Sequence, residues 1–230
     1  MAERVDDLSQ ALRTTGSVRS FRADDVSDES LFRVLDNARF APSGGNQQGW
    51  RVIVLRDPAR RAALLDLMDP VAHEYVALMR AGQRPFGLTE HGRWPGPGDV
   101  DLAAARADTS PSIVSALRDA PVLALVAVDT GCIAALDAEL DRHGIVAGAS
   151  IYPFCQNMLL AARLEGLGGV MTTFAVRAEP AVRALVHLPD SFAVAAVMAL
   201  GHPQKQNTRL TRNPVAAFAT VDSFDGPTFG

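Results

Sequence analysis

The chain has very little lysine. Of its 22 basic residues only Lys205 is a lysine, and all the others are arginines. Acidic residues outnumber basic ones, 26 to 22, and the net charge of -4 gives no basic footprint for nucleic acid. Any phosphate site in this chain should therefore consist of guanidinium groups, whose planar donors match phosphate oxygens in pairs.

Cysteine, an apolar leader and long apolar runs are also scarce or missing. Cys132 and Cys155 stand alone without a C-x-x-C motif, which excludes a disulfide framework and favours a reducing, cytoplasmic environment. The first ten residues carry acids and no apolar stretch, so we expect no secretory signal. The longest apolar runs, 121–128 and 192–200, are far shorter than the roughly 20 residues of a membrane helix. They predict buried strands in a soluble protein without a membrane partner.

The common nucleotide and hydrolase signatures are absent too. The sequence contains no G-x-G-x-x-G, no G-x-x-x-x-G-K-[ST], no H-E-x-x-H and no G-x-S-x-G. Its five histidines are scattered along the chain. These signatures therefore give no support to a Rossmann site, a P-loop, a zinc protease or a nucleophile elbow, and we expect no bound metal.

The length of 230 residues fits one domain with an excursion, since domains average about 150 residues. We treat residues 1–230 as a single domain, with the run at 121–129 as a central strand. Hydrophobic periodicity and turn residues predict helices at 27–41, 57–67, 71–80, 148–165 and 179–186, and strands at 50–55, 121–129, 169–174 and 192–201.

Two stretches lack periodicity. Residues 81–112 carry glycines and prolines around Trp94, and a loop of this length in a compact domain is usually functional or mobile. We interpret them as part of a lid excursion at about 70–118. The tail at 203–230 has apolar side chains but no regular pattern, which indicates that it wraps around something.

Three polar segments carry potential chemistry: 15–21 (TGSVRSF), 42–49 (PSGGNQQG) and 207–214 (NTRLTRNP). Arg209 and Arg212 lie three residues apart and suit one phosphate group. Glycine-rich loops such as 42–49 expose N–H groups that suit a polar ring edge. Taken singly, each segment fits an ordinary surface connection, a helix-to-strand turn or a solvated tail at least as well.

In combination, the ordered motifs resemble the FMN-dependent nitroreductase family over about residues 13–226. Residues 17–21 (SVRSF) match the second half of its R-R-S-x-R-x-F motif, and 42–50 (PSGGNQQGW) match P-S-x-x-N-x-Q-P-W. Residues 156–162 (QNMLLAA) match its alanine-rich helix, and 212–215 (RNPV) match its R-x-P-L tail. The resemblance implies an α+β, nitroreductase-like fold with a central, mostly antiparallel or mixed sheet flanked by helices. It also implies an interleaved homodimer with a swapped C-terminal tail and the helix near 151–162 at its centre.

The resemblance further implies that FMN carries the chemistry at N5, with no catalytic protein residue. NAD(P)H would be the electron donor, and a nitroaromatic, a quinone or an activated alkene the small-molecule acceptor, in ping-pong turnover. Ser17 would bind the pyrimidine edge, Arg19 would stabilise the reduced anion, and Phe86 and Trp94 in the lid would select the substrate. The implied cofactor-binding residues are Thr15, Gly16, Ser17, Arg19, Pro42, Ser43, Gly44, Asn46, Gln48, Met171, Thr172, Thr173, Arg209 and Arg212.

Two departures from the family pattern matter. Thr15 and Gly16 replace the opening arginine pair, so phosphate binding should rest on Arg209 and Arg212, helped by Arg13, and FMN affinity should be weaker. Gly49 replaces a proline. Two other interpretations stay open: an FMN-binding or sequestering protein without turnover, and a specialised chemistry such as dehalogenation or destruction of the flavin. The lid has no lysine to hold an amino-acid zwitterion, which argues against dehalogenation.

Overall fold

The structure is a computed structural model that describes residues 7–89 and 92–230. Its centre is a four-stranded sheet with the order β1-β2-β4-β3, in which every neighbouring pair is antiparallel. The strands are β1 (Trp50–Leu55), β2 (Val122–Asp129), β3 (Gly168–Thr172) and β4 (Phe192–Gly201). The expected α+β fold is confirmed, and its sheet is antiparallel rather than mixed.

The central strands β2 and β4 are buried on both faces, and β2 is apolar at every position from Val122 to Val128. Its side chains alternate between two hydrophobic clusters, with Leu123 and Leu125 in one and Ala124 and Val126 in the other. A β-bulge in β4 places the adjacent residues Ala195 and Ala196 in the same cluster. Burial on both faces explains why β2 and β4 are continuous apolar runs in the sequence.

Helices cover both faces of the sheet. One cluster contains side chains of α2 and α5, and the other contains side chains of α3 and α6. A short helix, α1, precedes the sheet, and α4 packs against α3. The helices are α1 (Leu8–Thr14), α2 (Asp28–Ala38), α3 (Pro58–Arg80), α4 (Leu102–Arg106), α5 (Tyr152–Leu164) and α6 (Glu179–Val186).

The prediction of separate helices at 57–67 and 71–80 is wrong, because α3 runs without interruption through Pro70. An internal proline costs about 3 kcal/mol. The buried stripe nevertheless continues across it, with Leu64 and Met68 before the proline and Val71 and Leu78 after it. Burial of this face keeps the helix continuous, so residues 70–80 of the expected lid belong to α3.

The helix expected at 148–165 begins later than predicted. A 3-10 helix spans Val146–Ser150, and α5 starts at Tyr152 with Pro153 in its first turn, where a proline is tolerated. Its buried residues include Phe154, Cys155 and Met158, as the helical spacing predicts. Ala161 and Ala162 face the same cluster and keep this helix close to its neighbours.

Residues 81–112, called the lid segment below, are irregular apart from α4; residues 90 and 91 lie outside the described part. The tail begins by pairing with the N-terminal segment and ends in a turn closed by a Thr220–Thr228 bridge. Its aromatic side chains lie in solvent, and Phe224 is 100% exposed. None of the described helices is long and apolar enough to cross a membrane.

Candidate functional site

The tail returns to the N-terminal segment immediately after β4. The N–H of Arg22 donates to His202 O at 2.8 Å, and that of Gln204 donates to Ser20 O at 3.0 Å. The side chain of Gln206 then donates to Thr14 O at 3.0 Å. These bonds join two parts of the chain that are nearly 200 positions apart. As a result, the residues that follow in the tail lie beside α1.

This pairing brings three arginines together in what we call the arginine cavity. It has a volume of about 540 Å³ and is lined by Arg13 from α1 and by Arg209 and Arg212 from the tail. Within the described part of the chain, none of the three guanidinium groups forms an ion pair with a carboxylate. Three like charges without a counter-charge favour an anion there.

Two of the buried polar atoms beside this region have no partner. Thr15 Oγ1 and Gln206 Oε1 lack hydrogen bonds with the residues described. Gly16 lies directly against the tail, since a Cβ added here would lie 2.6 Å from Asn207 Nδ2 and 2.8 Å from Leu210 Cδ2. Both atoms are the ends of side chains, so a larger residue at position 16 would require these side chains to move.

The segment with Ser17 and Arg19 lies beside the start of β3. Ser17 forms a parallel bridge with Gly169, and the N–H of Val18 donates to Gly169 O at 2.8 Å. Val18 is buried, whereas Ser17 and Arg19 are exposed. The backbone thus presents one hydroxyl and one guanidinium on the solvent side, between the arginine cavity and β3.

The other end of β3 opens on a second cavity of about 570 Å³, which we call the lid cavity. Thr173 lines it together with Phe86 and Trp94, whose rings meet edge to face with centroids 5.3 Å apart. Of the other two expected residues here, Met171 packs its side chain against the core, and Thr172 lies at the end of the strand. Met171 is only partly buried, so its main chain and part of its side chain remain accessible.

Arg177, which the sequence did not single out, is the charged residue of the lid cavity. Its guanidinium lies 4.5 Å from the ring centroid of Phe86 and 5.7 Å from that of Trp94. It also forms an ion pair of 3.1 Å with Glu74 of α3, which is 1% exposed and binds Arg106 of α4 as well. Neither the spacing nor the composition of the sequence signals this arrangement.

The loop with Pro42, Ser43, Gly44, Asn46 and Gln48 lies elsewhere. The N–H of Gly44 donates to Ser150 Oγ at 3.0 Å, and that of Gln48 donates to Ser43 Oγ at the same distance. The main chain of Asn46 and Gln48 has positive φ, which bends this loop sharply. None of the described residues of the loop lines the arginine cavity or the lid cavity.

A third cavity, of about 680 Å³, connects these regions. His143 and Tyr152 line both this cavity and the lid cavity, and Gly148 and Ala149 continue it towards Ser150. Burial raises the pKa of the Tyr152 hydroxyl, and the nearby Cys155 thiol adds to this. The lid cavity and the third cavity together form a groove. It runs from the lid segment towards Ser150, which binds the Pro42–Gln48 loop.

One buried carboxylate fixes the wall of this groove. Asp137 Oδ2 accepts hydrogen bonds from Ile145 N and Arg142 Nη1, both at 2.7 Å, and from Val146 N at 3.3 Å. The Ile145 N–H, followed by the Arg142 guanidinium, lowers the pKa of Asp137 to about 2. Its negative charge therefore holds residues 142–146, including His143, in place at neutral pH.

The residues present fit FMN in part within one chain. The arginine cavity suits its phosphate, and the unpartnered Thr15 and Gln206 atoms suit a polar ligand. Ser17 and Arg19 lie beside the start of β3, and Thr173 follows the end of that strand. The Pro42–Gln48 loop is outside this set. Among the described residues, no group of three or more acidic, histidine or cysteine side chains is arranged to hold a metal ion.

Comparisons with known proteins identify the family and the fold. Residues 12–202 match the model of the nitroreductase family. An NADH dehydrogenase of Thermus thermophilus is 31% identical over 92% of this chain and 94% of its own length. A 4-nitrobenzoate reductase of Pseudomonas putida is 27% identical over 98% and 100%. An oxidised iodotyrosine deiodinase solved with FMN and 3-iodo-L-tyrosine has the same fold, with a TM-score of 0.66 at 20% identity over 95% and 100% of the two chains.

Proposed function

The chain belongs to the nitroreductase family, and we propose that it is an FMN-dependent oxidoreductase that transfers a hydride from NADH or NADPH to a small acceptor. Membership in this family supports an oxidoreductase in general. The choice of FMN, of a nicotinamide donor and of the acceptor is our proposal. FMN, when bound, supplies the hydride carrier at its N5 atom.

The observation that carries the proposal is the convergence of Arg13, Arg209 and Arg212 in the arginine cavity. Guanidinium groups bind phosphate oxygens in pairs, and charge-assisted hydrogen bonds of this kind are worth about 1.5–3 kcal/mol each. Arg13 stands near the place where the family's opening arginine pair is missing. It compensates for Thr15 and Gly16, so the altered motif need not abolish phosphate binding.

Between the arginine cavity and the lid cavity lie β3 and the exposed Ser17 and Arg19 beside its start. Arg19 would provide positive charge where the reduced cofactor is negative, and Ser17 would donate to the pyrimidine edge. Thr173 would contact the other end of the ring system. Phe86 and Trp94 would then form the wall against which the acceptor stacks.

The reaction balances with two substrates that bind in turn. NAD(P)H gives up a hydride and becomes NAD(P)+, and a quinone that gains the hydride and one proton from water becomes a hydroquinone. No acidic or basic side chain has to be consumed, which fits the absence of a carboxylate among the described residues that line the cavity. One open cavity that serves both substrates in sequence implies ping-pong kinetics.

A second copy of the chain would complete the site. The Pro42–Gln48 loop lies apart from both cavities in one chain, and the tail exposes Phe218, Phe224 and Phe229 to solvent. Contiguous exposed apolar surface often marks an interface, and these three aromatic side chains lie in one short segment of the tail. We therefore propose a homodimer in which the tail embraces the partner and the partner's loop closes over the cofactor.

The alternative of a flavin-binding protein without turnover would use the same arginine cavity. Only reduction of the bound flavin by NADH or NADPH distinguishes the two functions. Amino-acid dehalogenation is disfavoured by Glu74, because this carboxylate is buried between Arg106 and Arg177 and does not face the cavity as a free group.

The experiment that tests the proposal is FMN loading of the purified full-length protein. We expect a yellow protein that oxidises NADH or NADPH in the presence of a quinone or a nitroarene. Replacement of both Arg209 and Arg212 by glutamine should weaken FMN binding at least tenfold, since each charge-assisted contact is worth about 1.5–3 kcal/mol. The matched control is Arg60→Gln, on the exposed start of α3. A colourless protein that does not take up FMN would overturn the proposal.

A further inference from the structure

We propose that Arg177 makes the lid cavity selective for aromatic acceptors that carry a carboxylate or a comparable anionic group. This inference rests on the proposed function, because it concerns the acceptor side of the same site. It adds to that function a substrate class and a residue that determines specificity.

The charge balance around the cavity favours an anion. The described residues that line it include no aspartate or glutamate, and Arg177 is their one permanently charged member. Behind the lining, the single carboxylate of Glu74 pairs with both Arg177 and Arg106. One negative and two positive charges leave a net charge of +1, and it lies in a region from which solvent is partly excluded, where charge interactions are stronger than in bulk water.

The guanidinium is also held in a fixed position. It lies over the Phe86 ring and is bound at one end by Glu74, while the side chain as a whole remains 36% exposed. An arginine has five N–H donors, so the pair with Glu74 leaves donors free for a second carboxylate. A group fixed in this way loses little conformational entropy when it binds a ligand.

The walls of the cavity suit an aromatic ring next to that charge. Phe86, Trp94 and Phe174 line it, and Tyr75 packs edge to face against Phe174 at 5.5 Å. Arg177 and Thr173 are four positions apart on the same segment. An acceptor whose carboxylate binds Arg177 would therefore extend its ring along the segment that we expect to meet the cofactor.

The phosphates of a nicotinamide nucleotide are a second source of the same anionic chemistry. We assign Arg177 to the acceptor because the cavity offers one fixed cation among aromatic walls, which matches a ring with a single charge. A dinucleotide carries a pyrophosphate and needs several donors.

The test uses shape-matched pairs of ligands and the FMN-loaded protein. The first readout is binding without turnover. It is the dissociation constant of benzamide divided by that of benzoate, both measured by equilibrium dialysis. The second readout is the ratio of kcat/KM for 4-nitrobenzoate to that for 4-nitrobenzamide. We expect the carboxylate to be preferred in both.

Variants then change the preference in opposite directions. Arg177→Met should lower both ratios by about tenfold or more, since one charge-assisted hydrogen bond is worth about 1.5–3 kcal/mol, and Arg177→Lys should retain part of the preference. Glu74→Gln, which removes the neutralising charge, should raise both ratios. The matched control is Arg39→Met, because Arg39 also lies over an aromatic ring, at 4.4 Å from Phe40, and pairs with Asp36 at 2.7 Å. A loss of fold alone would not raise a ratio in one variant and lower it in another.

Three outcomes separate the inference from the proposed function. Turnover of a neutral quinone with equal binding of benzoate and benzamide would overturn the inference and leave the function intact. A benzoate preference that depends on Arg177 without any turnover would support the inference and overturn the function. If Arg177→Met instead raises the KM for the nucleotide and leaves both ratios unchanged, the anion that Arg177 binds is the donor's phosphate, and the inference is wrong.

Discussion

The side-chain amide of Gln206 donates a hydrogen bond of 3.0 Å to the main-chain carbonyl of Thr14. This contact fastens the tail to the end of α1 at the point where Arg13 meets Arg209 and Arg212. The arginine cavity therefore exists only because two distant segments are held side by side. FMN binding should therefore depend on Gln206 as well as on the arginines themselves.

Replacing Gln206 with methionine should weaken FMN binding up to about tenfold, because one neutral hydrogen bond contributes about 0.5–1.5 kcal/mol. The dissociation constant can be measured by fluorescence titration of FMN. Gln204→Met is the matched control: Gln204 donates to Phe21 O at 3.1 Å, farther from the arginines along the tail. If both variants weaken FMN equally, the effect reflects general loosening of the tail and not the position of Gln206.

Removal of residues 214–230 should convert the protein to a monomer that no longer retains FMN. The deletion keeps Arg209 and Arg212 but takes away the exposed apolar side chains of Phe218, Phe224 and Phe229. Light scattering during size-exclusion chromatography gives the mass, and absorbance gives the flavin content. A truncated protein that stays dimeric would show that the tail does not hold the two copies together.

The lowered pKa of Asp137 predicts that the free energy of unfolding depends on pH. Its pKa in the folded protein is about 2, below the ordinary value of about 3.9 that we assume for the unfolded chain. The charged form is thus favoured by folding, and its contribution is complete above pH 4 and is lost as the pH falls through 2. Chemical denaturation from pH 7 to pH 2 should show Asp137→Asn less stable than the parent at neutral pH, with the difference disappearing in acid. A difference that stays constant over this range would contradict the assignment.

The two thiols should differ in reactivity. Burial raises the pKa of Cys155 to about 12, so at pH 8 it is a protonated side chain without solvent contact. Cys132 is partly exposed. A thiol-specific chromogenic disulfide at pH 8 should therefore modify at most one cysteine per native chain, and the second only after denaturant is added. The count for native Cys155→Ala should equal that of the parent; rapid modification of two thiols would refute the burial of Cys155.

The strands could be predicted almost completely from the sequence. β2 and β4 are buried on both faces and are therefore apolar at nearly every position. β1 and β4 coincide with the expected 50–55 and 192–201, and α6 coincides with 179–186. α3 was missed because local rules place a break at Pro70, whereas packing of Met68 and Ala72 on the core overrides it. Secondary-structure propensity depends on neighbouring residues in the sequence. The burial that outweighs it depends on contacts between residues that are distant in the sequence.

In the candidate site, too, some residues could be predicted from the sequence and others could not. Arg209, Arg212, Phe86 and Trp94 could be found from motifs and composition, and the structure places each pair in one cavity. Arg177 could not, since its importance depends on contacts with Phe86 and Glu74 that only the folded chain creates. No periodicity or motif records a pairing between elements that are so far apart in sequence.

The most direct test of the account is an anaerobic titration of the FMN-loaded full-length protein with NADH and, separately, with NADPH. We predict that at least one nucleotide abolishes the visible absorbance of the oxidised flavin, and that a quinone added afterwards restores it. A protein that retains FMN but whose absorbance neither nucleotide changes would contradict the proposed oxidoreductase and leave a flavin-binding protein.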